Sequence, residues 1–221
     1  MKKTVLFSAF LIGCITLVAC QQKNSPKLEE ANLTDNATST SSQMAECEIK
    51  VGDVTFTRSI NGADTCVSLL ADRALEFRCR EGLDFFCDPN EGKLSNNTLP
   101  VLLIPTDNTK PFTLTAKVTP EFTAEGLYNA ADLFVYVNDT LWQKLAFEQD
   151  EYGNHRIVSV RTQGTSDDNN HDRIDAKSVY MKISSDTRTI ASYYSLDKKE
   201  WHMVRPVSYT HLRAHETLRH L

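Results

Sequence analysis

Positive charge is in deficit in this sequence: 24 lysines and arginines stand against 29 aspartates and glutamates, giving a formal net charge of −5. A chain without a surplus of cations lacks the electrostatic footprint of nucleic-acid binding, so no nucleic-acid partner is expected. Glycine is sparse, at eight residues, and no glycine-rich phosphate loop occurs. No Cys-x-x-Cys pair suggests zinc, and no nucleophile elbow or Ser/His/Asp order marks a hydrolase. His155, His171 and His202 are scattered and read as surface or packing residues. The longest apolar run falls short of the roughly 20 residues that a membrane-spanning helix needs. Neither a cofactor nor a metal is expected.

The first residues carry Lys2 and Lys3, then an apolar run from Val5 to Val18, then a small residue before a cysteine. That order of zones is a signal peptide. Leu17-Val18-Ala19-Cys20 resembles the lipobox of bacterial lipoproteins, which implies cleavage before Cys20 and lipid on its thiol and amine. Several acyl chains anchor stably because each buried methylene contributes roughly 0.8 kcal/mol. Membrane contact is thus expected through the lipid alone. Gln21, where an aspartate would retain such a protein in the inner membrane, points to the outer membrane of the cell envelope. Residues 20–46 are rich in Ser, Thr, Asn and Gln and too poor in large apolar side chains to offset their ordering entropy, so they read as a disordered tether.

At the other end, Val207-Ser-Tyr-Thr-His-Leu-Arg-Ala-His-Glu-Thr217 resembles one translated frame of a widely used transposase sequencing adapter. Residues 206–221 are expected to derive from it, and His211, His215 and His220 are set aside as ligands. The functional segment is then 47–205, more acidic than the whole chain.

Of six cysteines, Cys14 leaves with the signal and Cys20 is lipidated. Cys47, Cys66, Cys79 and Cys87 remain in an exported segment, where disulfides form. Four cysteines allow three pairings. Cys79 with Cys87, around the turn Arg80-Glu81-Gly82, and Cys47 with Cys66 are preferred.

From about Ile49 short runs of β-branched and aromatic residues alternate with Asn, Asp, Gly, Ser and Pro, and no long helix is evident. This predicts an all-β sandwich or barrel. Apolar residues alternate in Phe112–Val118, in Leu133, Val135 and Val137, in Val158 and Val160, and in Val179, Met181 and Ile183, as strands with one buried face require. In Leu141–Glu148 the row Leu141, Leu145, Phe147 is the expected core side. The opposite row is Trp142, Lys144, Ala146, Glu148. A turn at Asn138-Asp139-Thr140 pairs this strand with the preceding one and sets Phe134 and Tyr136 beside Trp142. Ser159 and Arg161 point away from Val158 and Val160, so Arg161 is expected to meet Glu148.

Pro111–Val118, Ala131-Asp-Leu-Phe-Val-Tyr136, Trp142-Gln-Lys144 with Phe147-Glu148, Val158-Ser-Val160, Ser166-Asp167-Asp168 and Tyr194–Trp201 occur in an order that resembles the concanavalin A-like lectin/glucanase superfamily, specifically domain-of-unknown-function family 1349. Ala71–Pro89, with Asp84-Phe-Phe, resembles the family's opening strands. The resemblance implies a two-sheet jelly-roll sandwich with one concave face, from which an artificial stop at Arg205 would remove a C-terminal strand. It also implies kinship with ancillary domains beside xylan-active glycosidases, without an established activity.

A sugar site needs an apolar surface for the ring face and fixed polar groups for hydroxyls. Trp142 is expected to supply the first; Lys144, Glu148 and Arg161 the second. Asp167 and Asp168, in a polar connection Ser166–Asp172 without the glycine and distal glutamate of a calcium loop, complete the expected ligand-binding set. The plain alternative is a solvated sheet face with a packed tryptophan and a structural ion pair. Trp201 reads as an anchor for the last strand. Related glucanases place three alternating acids on one strand. This chain lacks them, so a glycosidase is disfavoured. The expected function is non-catalytic carbohydrate binding at the envelope. The alternatives are an envelope protein-protein interaction module and a glycoside hydrolase.

Overall fold

The computed structural model describes residues 41–70, 73–107, 109–124 and 126–208, with the backbone of 16–17. Nearly all of the expected signal, most of the tether, including Cys20, and everything past Ser208 lie outside the described residues. The strands in chain order begin with β1 (Thr16–Leu17), β2 (Met44–Val51) and β3 (Val54–Ile60). One helical turn, α1 (Ala63–Cys66), precedes β4 (Val67–Leu69), β5 (Leu75–Phe77), β6 (Phe85–Phe86), β7 (Asn96–Asn97) and β8 (Val101–Leu103). Then come β9 (Phe112–Val118), β10 (Ala130–Asn138), β11 (Leu141–Gln149), β12 (His155–Gln163), β13 (Thr165–Arg173), β14 (Val179–Ser185), β15 (Thr189–Ser195) and β16 (His202–Ser208).

Two sheets carry the fold, as the alternating pattern predicts. One has the order β1-β9-β14-β15-β16 and the other the order β10-β11-β12-β13. Their facing side chains make the main core: Ala116, Val118, Met181, Ile183 and Ile190 from the first sheet meet Leu133, Leu145, Phe147 and Ile157 from the second. The protein is an all-β sandwich. The turn Asn138–Thr140 joins β10 to β11 as expected, with the Thr140 backbone N–H donating to Asn138 Oδ1 at 3.0 Å.

Residues 42–103 divide between two cores: Val51, Val54, Phe56 and Leu75 join the main core, and another part of the segment covers the far face of the four-stranded sheet. Ile60, Phe85 and Val101 descend onto Trp142, Ala146, Val158 and Val160, which builds a second core. Three sets of hydrogen bonds pin this cover at one end of the sheet. Ser42 binds Asp139 through its backbone N–H (2.8 Å) and its hydroxyl. Cys87 and Ser166 exchange backbone and side-chain bonds at 2.8 and 2.9 Å. Cys87 Sγ approaches Asp139 O at 3.4 Å. Because the sheet is buried on both faces, β11 is almost continuously buried, which one-sided alternation does not anticipate.

Two expectations are corrected. Ser166–Asp172 is not a loop but most of β13, an edge strand whose polar residues are tolerated because it has one sheet neighbour and mostly exposed side chains. The preferred cysteine pairings also fail. Cys66 Sγ lies 3.5 Å from Cys79 Sγ across the β4–β5 hairpin, whereas Cys47 Sγ contacts Phe56 O and Cys87 Sγ contacts Asp139 O. Hairpin pairing sets which sulfurs meet, and the short span from Cys79 to Cys87 does not.

Candidate functional site

Antiparallel register assigns every side chain on the four-stranded sheet to a face. Tyr136 opposes Trp142, Phe134 opposes Lys144, Asp132 opposes Ala146 and Ala130 opposes Glu148. On the other side Trp142 opposes Thr162, Lys144 opposes Val160, Ala146 opposes Val158 and Glu148 opposes Arg156. Asp168 in turn opposes Val160. Asp132, Lys144, Glu148 and Asp168 therefore share one face. Asp132 is diagonal to both Lys144 and Glu148, within reach of long side chains, and the small Ala146 between them leaves room.

Arg161 opposes Gln143, not Lys144. It lies on the sandwich side of the sheet and its guanidinium donates to Gln163 Oε1 at 2.7 Å. The expected Arg161–Glu148 contact is thus absent, because Val158 and Val160 pack under the cover rather than in the main core. Asp167 sits on Arg161's face and pairs with Arg205 at 3.6 Å. Of the expected set, the register brings Lys144, Glu148 and Asp168 together and separates Arg161 and Asp167 from them.

Trp142 shares the face but is 2% exposed. Phe85 stands edge-on to it at 5.7 Å between centroids, Phe134 lies 5.7 Å from it and 5.8 Å from Phe85, and the indole N–H donates to Asp139 O at 3.1 Å. Buried to this extent and with its polar tip engaged, the indole presents no platform to a sugar. Its part here is to seat the cover. Trp201 is half-buried, with the Lys182 ammonium 3.9 Å from its ring centroid.

Lys144 is buried along almost its whole length and donates from Nζ to Asp84 Oδ1 at 2.9 Å. Asp84 belongs to the cover, where the Phe85 backbone N–H also donates to Oδ1, at 2.7 Å, and its side chain is about half exposed. The ion pair therefore sits where the cover meets the sheet and opens to solvent through Asp84. Burial alone would discharge Lys144, but the carboxylates of Asp132, Asp84 and Glu148 outweigh it and hold the ammonium firmly charged. The acids pay the complementary penalty. Burial pushes Asp132 up to about 6 and Glu148 up to about 8, partly offset in each case by Lys144. Asp132 Oδ1 is enclosed and has no hydrogen-bond partner among the described residues.

Asp84 and Asp132 are the residues that sequence reasoning left without a role. Asp84 comes from some 60 positions upstream and no local pattern links it to Lys144. Asp132 did leave a signal, since an aspartate inside an apolar strand is disfavoured without a purpose. The cluster offers the Lys144 ammonium, the four carboxyl groups of Asp84, Asp132, Glu148 and Asp168 and a partly enclosed floor, suited to many short hydrogen bonds from a polyhydroxylated ligand.

Comparison with known proteins agrees with this architecture. The model of the family described as "Protein of unknown function (DUF1349)" matches residues 63–218. No curated protein matches the chain. Among solved structures, a functionally unknown protein from Saccharomyces cerevisiae is similar, with a TM-score of 0.52 at 20% identity, over 76% of this chain and 78% of that one. At that identity the likeness concerns the fold.

Proposed function

Because this chain belongs to the DUF1349 family of proteins of unknown function, we propose its activity from the site: a non-catalytic carbohydrate-binding domain. The observation that supports this is the convergence of Asp132, Lys144, Glu148 and Asp168 on one sheet face beside Asp84, with a carboxylate oxygen left unpaired. Hydroxyl groups satisfy such a set in either direction, donating to carboxylates and accepting from Lys144. Trp142 acts from beneath by holding the cover in place. A glycan array, followed by polysaccharide retention with Lys144→Met and Glu148→Gln, tests the reading. Retention that weakens at least tenfold in both variants supports it, and a wild-type protein that binds no glycan removes it.

A glycoside hydrolase is the second reading, favoured by one feature. Glu148, raised to about 8, keeps its proton at neutral pH beside acids that ionise more readily, as a general acid requires. Release of reducing sugar from polysaccharides by wild type but not by Glu148→Gln would establish it. Unchanged polysaccharide with wild type would dismiss it.

The two chain ends belong to the same proposal. Lipid on Cys20 tethers the domain to the envelope, at the outer membrane, and mass spectrometry of the detergent-extracted protein tests that lipid. The segment from Pro206 is read as adapter-derived, although β16 runs to Ser208 and the family match to residue 218. Codons that depart from the adapter at several positions would overturn this reading.

A further inference from the structure

At the free edge of β10 an opening of about 130 Å3 is bounded by Phe77, Leu99, Pro100, Leu114, Phe134 and Asp132. Because β10 has a sheet neighbour only in β11, the opening adjoins the face that bears Lys144 and Glu148 and reaches toward the sandwich interior. The side chains that line it are apolar except for Asp132, whose carboxyl has one enclosed oxygen, Oδ1, that accepts no hydrogen bond among the described residues. Asp132 is thus the one side chain of the lining whose carboxyl can accept from a ligand N–H or O–H. An apolar cavity of roughly 150 Å3 is large enough for benzene, so this one takes a smaller apolar group with room to spare.

The occupant must therefore place a hydrogen-bond donor and a small apolar group on adjoining atoms, at the border of a carboxylate-rich polar face. An unmodified hexose has donors but no apolar projection. A free alkyl group has no donor. An ammonium meets the carboxylate but leaves the opening empty. An acetamido group has both features, since its N–H and methyl flank one carbonyl carbon.

We infer, resting on the carbohydrate reading above, that the ligand is a 2-acetamido sugar: its amide N–H donates to the Asp132 carboxyl, its methyl enters the opening against Phe77 and Phe134, and its hydroxyls meet Lys144 and Glu148. Asp132 thus serves both halves of the site, the polar face and the apolar edge.

The test is calorimetric titration of the protein with three oligosaccharides of equal length and linkage, built from N-acetylglucosamine, glucosamine and glucose. The acetylated form is expected to bind at least tenfold more tightly than the glucose form. Ala130→Leu, which fills the opening from its rim, brings the acetylated form down to the glucose level. In saturation-transfer NMR on wild type, the acetyl methyl receives the strongest transfer, a readout independent of any variant. Equal affinity for the acetylated and glucose forms, or an unsaturated methyl, overturns the acetamido inference and leaves carbohydrate binding standing. Tightest binding of the glucosamine form overturns it in favour of cation recognition. Wild type that binds none of the three overturns it too, and the glycan array then decides whether the carbohydrate reading falls as well.

Discussion

The two ends of one sheet face are built on opposite terms. At one end Trp142, Phe134 and Tyr136 close around Phe85, and both polar demands are met by Asp139: its backbone carbonyl accepts from the indole N–H and its Oδ1 from the Tyr136 hydroxyl. At the other, two residues along the same strands, Lys144 and Glu148 face Asp132 and Asp168 with fewer bonds than they can make. The first end is finished without a ligand; the second is not. On the proposed carbohydrate reading, stability and recognition are thereby separated along β11, with Trp142 holding the cover whose Asp84 completes the charged end.

Removing the anchor breaks this arrangement most severely. Trp142→Ala is expected to cost about 3–5 kcal/mol, as large core truncations do, read as a lower urea midpoint together with loss of sugar retention. Next is the staple at the cover's rim. Oxidation joining Cys66 to Cys79 closes a short loop worth about 3 kcal/mol in the chain-entropy account, so reductant or Cys66→Ser lowers the midpoint while Cys47→Ser and Cys87→Ser leave the oxidised bond in place, checked by peptide mapping. Lys144→Met leaves carboxylates facing one another. Because Asp84 is half exposed, the cost is expected at about 1–3 kcal/mol, below that of a fully buried pair, with the larger effect on sugar retention.

Glu148 sharpens the comparison through pH. Burial holds its folded value at about 8, against an ordinary 4.5. Below the ordinary value both folded and unfolded chains keep the proton. As pH rises toward 8 the unfolded chain gives it up first, so stability falls across that window. The charged groups that face Glu148 are Arg156, directly opposite on β12, together with Lys144, Asp132, Asp84 and Asp168. Glu148→Gln is expected to flatten the decline in urea midpoints between about pH 5 and pH 9, and an unchanged slope would deny the burial. Arg161→Ala, on the other side of the sheet, is expected to stay within about 0.5 kcal/mol of wild type and to leave sugar retention intact.

Much of the sandwich was legible because its strands obey a period of two. Phe112–Val118, Val179–Ile183 and the hairpin around Asn138–Thr140 fall where alternation and turn residues put them. Period two cannot say which apolar row meets which layer when both faces are covered. Val158 and Val160 have the composition of main-core residues and pack beneath the cover, which carried Arg161 to the wrong side. The nearly unbroken run Leu141–Phe147 held the warning, since a strand with a wet face alternates more strictly. The charged site was legible only in part: Lys144 and Glu148 by spacing on one strand, Asp84 not at all, because it arrives through a fold contact rather than a local repeat.

The cover also fixes an order of events. Ile60, Phe85 and Val101 precede in the chain the strands that bury them, Ala130–Gln163. A polypeptide threaded across a membrane from its N-terminus must therefore present those apolar side chains to the far compartment before their shelter emerges. On the proposed route out of the cell, the layer that covers the four-stranded sheet would make the half-exported chain sticky, and a holding chaperone on the receiving side would find its best grip on residues 54–103.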